Sequence, residues 1–245
     1  MRTAYRSDLD EFAQDLIVMC DTVREAMAKA SNALLRASLQ EAEDALSMMD
    51  PLEDLRQRCK ERSIQLLALE APVASDLRQV ISSIYIVEDF DRMAALSMHI
   101  AKSARRRHPD LVIPAELQAE FSRLVELVDA MSGKTRELLV NPDADLALSL
   151  STDDDEVDGL NNSLLTRLTR REGEFPTRQA VDTALLLRFY ERWADHCVNV
   201  SSRIVFLITG LMPDQYEMDR LGVDPEEDIK RRFEDQRKRG SSQYR

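Results

Sequence analysis

Phe90-Asp91-Arg92-Met93-Ala94-Ala95 returns one hundred residues later as Tyr190-Glu191-Arg192-Trp193-Ala194-Asp195. The same shift of 100 aligns Arg78-Gln79 with Arg178-Gln179 and Ile100 with Val200. Upstream the shift becomes 105, pairing Asp50 with Asp155, Leu52 with Val157, Glu53 with Asp158 and Leu55 with Leu160. The matches keep their order and helical phase, which is the signature of a duplicated helical unit. The smaller downstream shift implies a shorter helix connection in the second copy.

Outward from this pair, apolar residues recur at helical spacing along nearly the whole chain, beginning with Leu9, Phe12, Leu16, Met19, Val23, Met27, Ala30 and Leu34. Breakers divide the pattern. The spacing predicts helices at roughly 8–38, 40–70, 72–107, 114–140, 142–171 and 176–209, with Pro51 kinking or restarting the second. The expected fold is all-α, two tandem three-helix bundle repeats (six long helices) plus a charged C-terminal tail. The expected divisions are 1–108, 114–212 and 213–245. A three-helix unit buries a modest core, so the two units should pack together. The tail, from residue 214, holds nine acidic and eight basic residues and reads as a short helix or a solvated segment.

Composition agrees. Only 6 of 245 residues are Gly, aromatics make up 5% and charged residues 32%, a mix that favours amphipathic helices over sheet. A net charge of -12 argues against nucleic acid and anionic lipid as partners. No stretch approaches the ~20 apolar residues of a membrane span. Cys20, Cys59 and Cys197 lie in apolar helical patterns without a CxxC, which suits reduced core thiols and a cytoplasmic location.

The acidic residues carry the chemistry. Glu191, Asp195 and Asn199 are spaced i, i+4, i+8 and share one face of the last long helix; Asp154 and Asp158 repeat the i, i+4 spacing on the helix before it. The turn near Gly173 lies 17 positions after residue 156 and 20 before residue 193. At ~1.5 Å per residue the arms are roughly 26 and 30 Å, so an antiparallel hairpin brings the two pairs level. Facing carboxylates repel unless protonated or bridged by a cation. The candidate metal ligands are Asp154, Asp158, Glu191 and Asp195, joined by Asp155, with His196, Asn199 and Arg192 in supporting positions. Oxygen ligands suit a divalent or trivalent ion such as Mg, Mn, Ca or iron. A solvated acidic face satisfies the same spacing, and so does a metal-free scaffold. In the first copy Met49 stands where Asp154 stands and Ala95 where Asp195 stands; Asp50, Glu53 and Asp91 remain, with Glu88 and Asp89 nearby, and are expected to form a weaker site or none. A di-iron enzyme needs Glu-x-x-His pairs, whereas Glu191 and His196 are five apart. No nucleophile with a base is visible, nor a basic helix-turn-helix. Arg105-Arg106-Arg107 fits the end of the third helix, where cations suit the helix dipole, and leaves a transporter, membrane or anion contact open.

At these residues the chain resembles the PhoU family of phosphate-uptake regulators. Its second-repeat signature, approximately E-R-I-G-D-x-x-x-N-I, reads Glu191-Arg192-Trp193-Ala194-Asp195-His196-Cys197-Val198-Asn199-Val200. The preceding acidic motif reads Asp154-Asp155-Glu156-Val157-Asp158, and the P-x-A-S-D-L-R box stands as Pro72-Val73-Ala74-Ser75-Asp76-Leu77-Arg78, marking Asp76 and Arg78. Met49, Ala95 and His99 depart from the pattern, all in the first repeat. The resemblance implies a cytoplasmic, non-enzymatic homodimer that binds metal (Fe, Mn, Mg or Zn) and no organic cofactor. It also implies a protein that couples the ATPase subunit of the phosphate ABC transporter to a sensor histidine kinase and restrains phosphate uptake and phosphate-starvation genes.

Overall fold

A computed structural model describes residues 2–70, 72–170 and 174–222. Its helices are α1 (Arg2–Arg36), α2 (Leu39–Ser47), α3 (Met49–Glu70), α4 (Ala74–Arg107), α5 (Gln118–Val140), α6 (Ala144–Thr169), α7 (Thr177–Thr209) and α8 (Pro213–Leu221), with a 3-10 turn over Ala115–Leu117 ahead of α5. No strand occurs among the described residues. The fold is all-α, as the periodicity predicts.

Boundaries follow local chemistry. Ser38 caps α2 by accepting from the Glu41 amide at 3.3 Å. Asp143 caps α6 in the same way, accepting from the Leu146 amide at 2.8 Å. Gly210 ends α7 in the left-handed region, φ 77°, where a Cβ would be strained. The expected second helix is broken at Met48, and Pro51 is the third residue of α3 rather than the first. Its missing N–H falls among the donors that a helix start leaves unpaired. Asp50 is therefore inside α3, not its cap. The first helix begins earlier than the spacing predicts, and Pro213 opens α8 rather than closing α7. Arg220 of α8 pairs with Asp145 of α6. The rest of the charged tail, 223–245, lies outside the described residues.

Two long helices set the architecture. α4 and α7 run antiparallel and touch along their whole length. Arg78 lies over Gly210, where a Cβ would sit 3.7 Å from its guanidinium carbon. Arg203 stacks on Tyr85 with 4.2 Å from cation to ring centre, and Asn199 reaches Asp89 at 3.5 Å. Trp193 donates to Ser97 at 3.2 Å, and His99 stacks on Phe189 with ring centres 5.2 Å apart. At the far end Arg106 and Arg107 meet Asp182 at 3.2 and 2.7 Å. The pairs Asp89–Asn199 and Phe189–His99 exchange under the shift of one hundred residues, so a local two-fold relates the repeats across this seam. Phe90, Tyr190 and Trp193 are fully buried there.

The other helices close around it. Tyr190 and Ser31 of α1 share a buried hydrogen bond of 2.7 Å, and Phe121 of α5 packs edge-on to Tyr190. Asp15 of α1, 8% exposed, receives Arg58 and Arg62 of α3 at 3.0 and 3.1 Å. Arg136 of α5 donates to Asp21 of α1 at 2.6 Å. All three cysteines are buried and unpaired. Burial pushes the Cys59 thiol up to about 11 and the Cys20 thiol up to about 12, which fits inert core thiols.

Trp193→Ala should remove about 3–5 kcal/mol of stability, the usual effect of deleting a fully buried ring. Thermal melting of the purified variant checks this; a loss below about 1 kcal/mol would mean that the seam does not hold the repeats together.

Candidate metal centre

The α6–α7 hairpin brings the two acidic pairs together, as the arm lengths predict. Asp154 is half-buried, and its Oδ1 is fully enclosed with no hydrogen-bond partner. Burial pushes its carboxyl up to about 6, with the negative charges of Asp195, Asp158, Asp155 and Glu191 acting in the same direction. Asp195 is also raised, by burial and then by Glu191 and Asp158, against the opposing charges of Arg188 and His196. Asp155, Asp158 and Asp195 are exposed, and Glu191 is half-buried.

Glu191 is held from two sides. Arg188, one turn earlier on α7, donates to Oε1 at 2.5 Å. Asn161, buried on α6, donates from Nδ2 to Oε2 at 3.5 Å, and its own Oδ1 has no partner. Lys134 neutralises the neighbouring Asp153 at 2.6 Å rather than the cluster. Five carboxylates thus share one arginine. Two enclosed oxygens lack donors, and every candidate ligand atom is oxygen, so the residues present suit a hard cation. As the side chains stand, no three His, Cys, Asp or Glu groups among the described residues converge enough to hold a metal ion.

The supporting residues lie differently from the sequence expectation. His196 turns away from α6: its Nδ1 meets Asp89 of α4 at 2.8 Å, with both side chains about 15% exposed. Asn199 reaches the same carboxylate. One step past Asp195 rotates a helical residue about 100° around the axis, so His196 faces the seam and not the hairpin. Arg192 is exposed and forms no ion pair with a described residue; Arg188 holds Glu191 instead. Asp76 sits in the first turn of α4, where a carboxylate suits the helix dipole, and Arg78 lies against Gly210 at the α7 C-cap. The Arg105-Arg106-Arg107 run is paired internally: Arg105 with Glu43, and Arg106 and Arg107 with Asp182.

In the first repeat Asp50 is exposed and outside any cluster. Glu53 and Asp91 converge on Arg56, at 2.6 and 3.6 Å. Sequence reading missed Arg56, Asn161 and Arg188, and it placed Asp89 with the first-repeat carboxylates rather than against His196 and Asn199. Arg188 could have been found three residues before Glu191. Arg56 and Asn161 occupy matched positions under the shift of 105, whereas Asp89 is reached only across the seam.

A raised carboxyl favours the protonated, folded state. In metal-free protein the contribution of Asp154 is fully present below about pH 4 and is lost as pH rises through about 6. Asp154→Asn should therefore raise the melting temperature of chelator-treated protein near pH 7.5 by the equivalent of about 1 kcal/mol after solvent screening, and change little near pH 4. Melting curves at the two pH values check this; destabilisation at neutral pH would show that the carboxylate is already satisfied by the protein.

The family model described as the PhoU domain matches this chain twice, over residues 16–104 and 121–204. The chain is 41% identical over 213 residues to the phosphate-specific transport system accessory protein PhoU homolog 2 of Mycobacterium tuberculosis, covering 87% of this chain and 100% of that one. It is 40% identical over 214 residues to PhoU homolog 1 of Mycobacterium leprae, covering 87% and 96%. The crystal structure of PhoU from Pseudomonas aeruginosa superposes with a TM-score of 0.77 at 25% identity, over 84% of this chain and 100% of that one. The phosphate transport system regulatory protein PhoU from Streptococcus pneumoniae shares the fold, with a TM-score of 0.77 at 23% identity over 85% and 98%. The chain belongs to the PhoU family.

Proposed function

We propose that the protein is a non-enzymatic, cytoplasmic regulator of phosphate homeostasis. It acts as a homodimer that couples the ATPase subunit of the phosphate ABC transporter to a sensor histidine kinase. When phosphate is ample it restrains uptake and holds phosphate-starvation genes off. The observation that carries this reading is the double family match together with mycobacterial relatives at about 40% identity that are named as accessory proteins of phosphate-specific transport. No helix among the described residues is long and apolar enough to cross a membrane, so contact with the transporter would run through its water-exposed subunit.

In this reading Asp154, Asp158, Glu191 and Asp195, with Asp155, hold a divalent or trivalent ion. Fe, Mn and Mg fit the all-oxygen set better than Zn, which prefers nitrogen and sulfur. An ion held there would add positive charge to a carboxylate set that has Arg188 alone among the described residues. Asn161 and Arg188 fix the orientation of Glu191, and the enclosed Oδ1 of Asp154 gains a partner. An ion held by these residues would join α6 to α7 and so stiffen the hairpin.

Glu191→Ala combined with Asp195→Ala should lower the metal content of protein purified without chelator or His-tag, and should derepress phosphate-starvation genes in cells grown with ample phosphate. Unchanged metal would sink the metal assignment. Normal repression despite lost metal would separate the centre from signalling. Wild-type protein should retain the transporter ATPase subunit and the sensor kinase in a pulldown with phosphate present; retention of neither would overturn the coupling role.

A further inference from the structure

We infer that Arg56 is the resident cation of the first repeat, a guanidinium that takes the place a metal ion takes in the second and so confines metal binding to one half of the duplicated fold. This rests on the metal reading of the α6–α7 hairpin for its meaning, though not for its test.

The duplication provides the comparison. The shift of 105 that places Asp50 on Asp155 and Glu53 on Asp158 also places Arg56 on Asn161. Both residues do the same geometric task and reach the carboxylate on the partner helix of their hairpin. Asn161 donates to Glu191 at 3.5 Å, and Arg56 lies 3.6 Å from Asp91, the counterpart of Glu191. Their charges differ. Asn161 is neutral, and the arginine that meets the acidic set of the second hairpin, Arg188, pairs with Glu191 on its own helix rather than bridging α6 to α7. Arg56 forks onto Glu53 as well, donating from Nε at 3.0 Å and from Nη2 at 2.6 Å. A single guanidinium thus bridges the α3 carboxylate to the α4 carboxylate, and Glu88 also lies within reach of its charge.

The bridging position is the one a metal would need. Arginine does not give up its proton in proteins, so this charge cannot be titrated away to admit an ion. A divalent cation a few ångströms from it would be repelled. The positions that would contribute further ligands have changed in the same direction. Met49, at the place of Asp154, is exposed, and Ala95 stands at the place of Asp195. Two carboxylates are gone, and the arginine has changed place: Glu88 stands where Arg188 stands, while Arg56 bridges α3 to α4, so the first hairpin is closed by an ion pair made of its own side chains.

The test is made inside the first repeat. In a background of Asp154→Asn with Asp195→Asn, which silences the second repeat, Met49→Asp and Ala95→Asp restore the missing carboxylates. With Arg56 kept, equilibrium dialysis against manganese should find no bound ion, and manganese should leave the melting temperature unchanged. Adding Arg56→Asn should create manganese binding at least about tenfold tighter, with a manganese-dependent rise in melting temperature. Arg56→Lys, which keeps the charge, should behave like the parent. Met49 is exposed and Arg56 lies at the surface of its hairpin, and helicity by circular dichroism confirms folding of each variant. Equal binding with and without Arg56 would overturn the inference, as would no binding in the restored Arg56→Asn variant. Wild-type protein that never carries metal would sink the proposed metal centre, while this comparison would still decide the role of Arg56.

Discussion

The antiparallel seam between α4 and α7 is the constraint on which everything else hangs. Its fully buried aromatic centre, Phe90, Tyr190 and Trp193, joins two copies of one helical unit across a local two-fold. Neither copy has much core without it. The seam also fixes what faces where. It turns His196 and Asn199 of the second repeat onto Asp89 of the first, and leaves Glu191 and Asp195 to look toward α6. One end is tied by charge, with Arg106 and Arg107 on Asp182, and at the other Arg78 packs over the C-cap of α7.

With both hairpins hung on one seam, the duplication becomes a controlled comparison in electrostatics. Each hairpin sets carboxylates of one helix against those of the next, and each must find a counter-charge. The first has Arg56 in its own chain. The second has Asn161 at that place and Arg188 on Glu191 alone, and keeps the fuller acidic set, with a half-buried Asp154 whose carboxyl is pushed up to about 6 and an enclosed oxygen without a donor. A protein-supplied cation makes a permanent clasp, whereas an external one makes a clasp that can be filled or emptied. The second arrangement is the one suited to a regulator.

Most of this was legible in the residues because it depends on local spacing. Helical periodicity gave the elements, the shift of 100 gave the duplication, and equal arm lengths placed Asp154 and Asp158 opposite Glu191 and Asp195. What spacing does not reveal is direction around a helix relative to a neighbour of unknown position. His196 and Asn199 share a helix with the acidic pair, and only the seam shows that their partner is Asp89. The break at Met48 carries no proline or glycine of its own, and Pro51 falls in the first turn of α3, where a proline does no harm to a helix. Arg56 was overlooked because it looks like an ordinary surface arginine one turn from a glutamate; its meaning appears only when Asn161 is laid beside it.

The central claim is that one hairpin depends on an external cation and its twin does not. Hydrogen–deuterium exchange of full-length protein, with manganese and after chelation, tests it most directly. The amides of α6 around 154–158 should exchange at least about tenfold more slowly with the ion than without, while those of α3 around 49–56 should not change. An equal response in both hairpins, or none in either, would contradict the account.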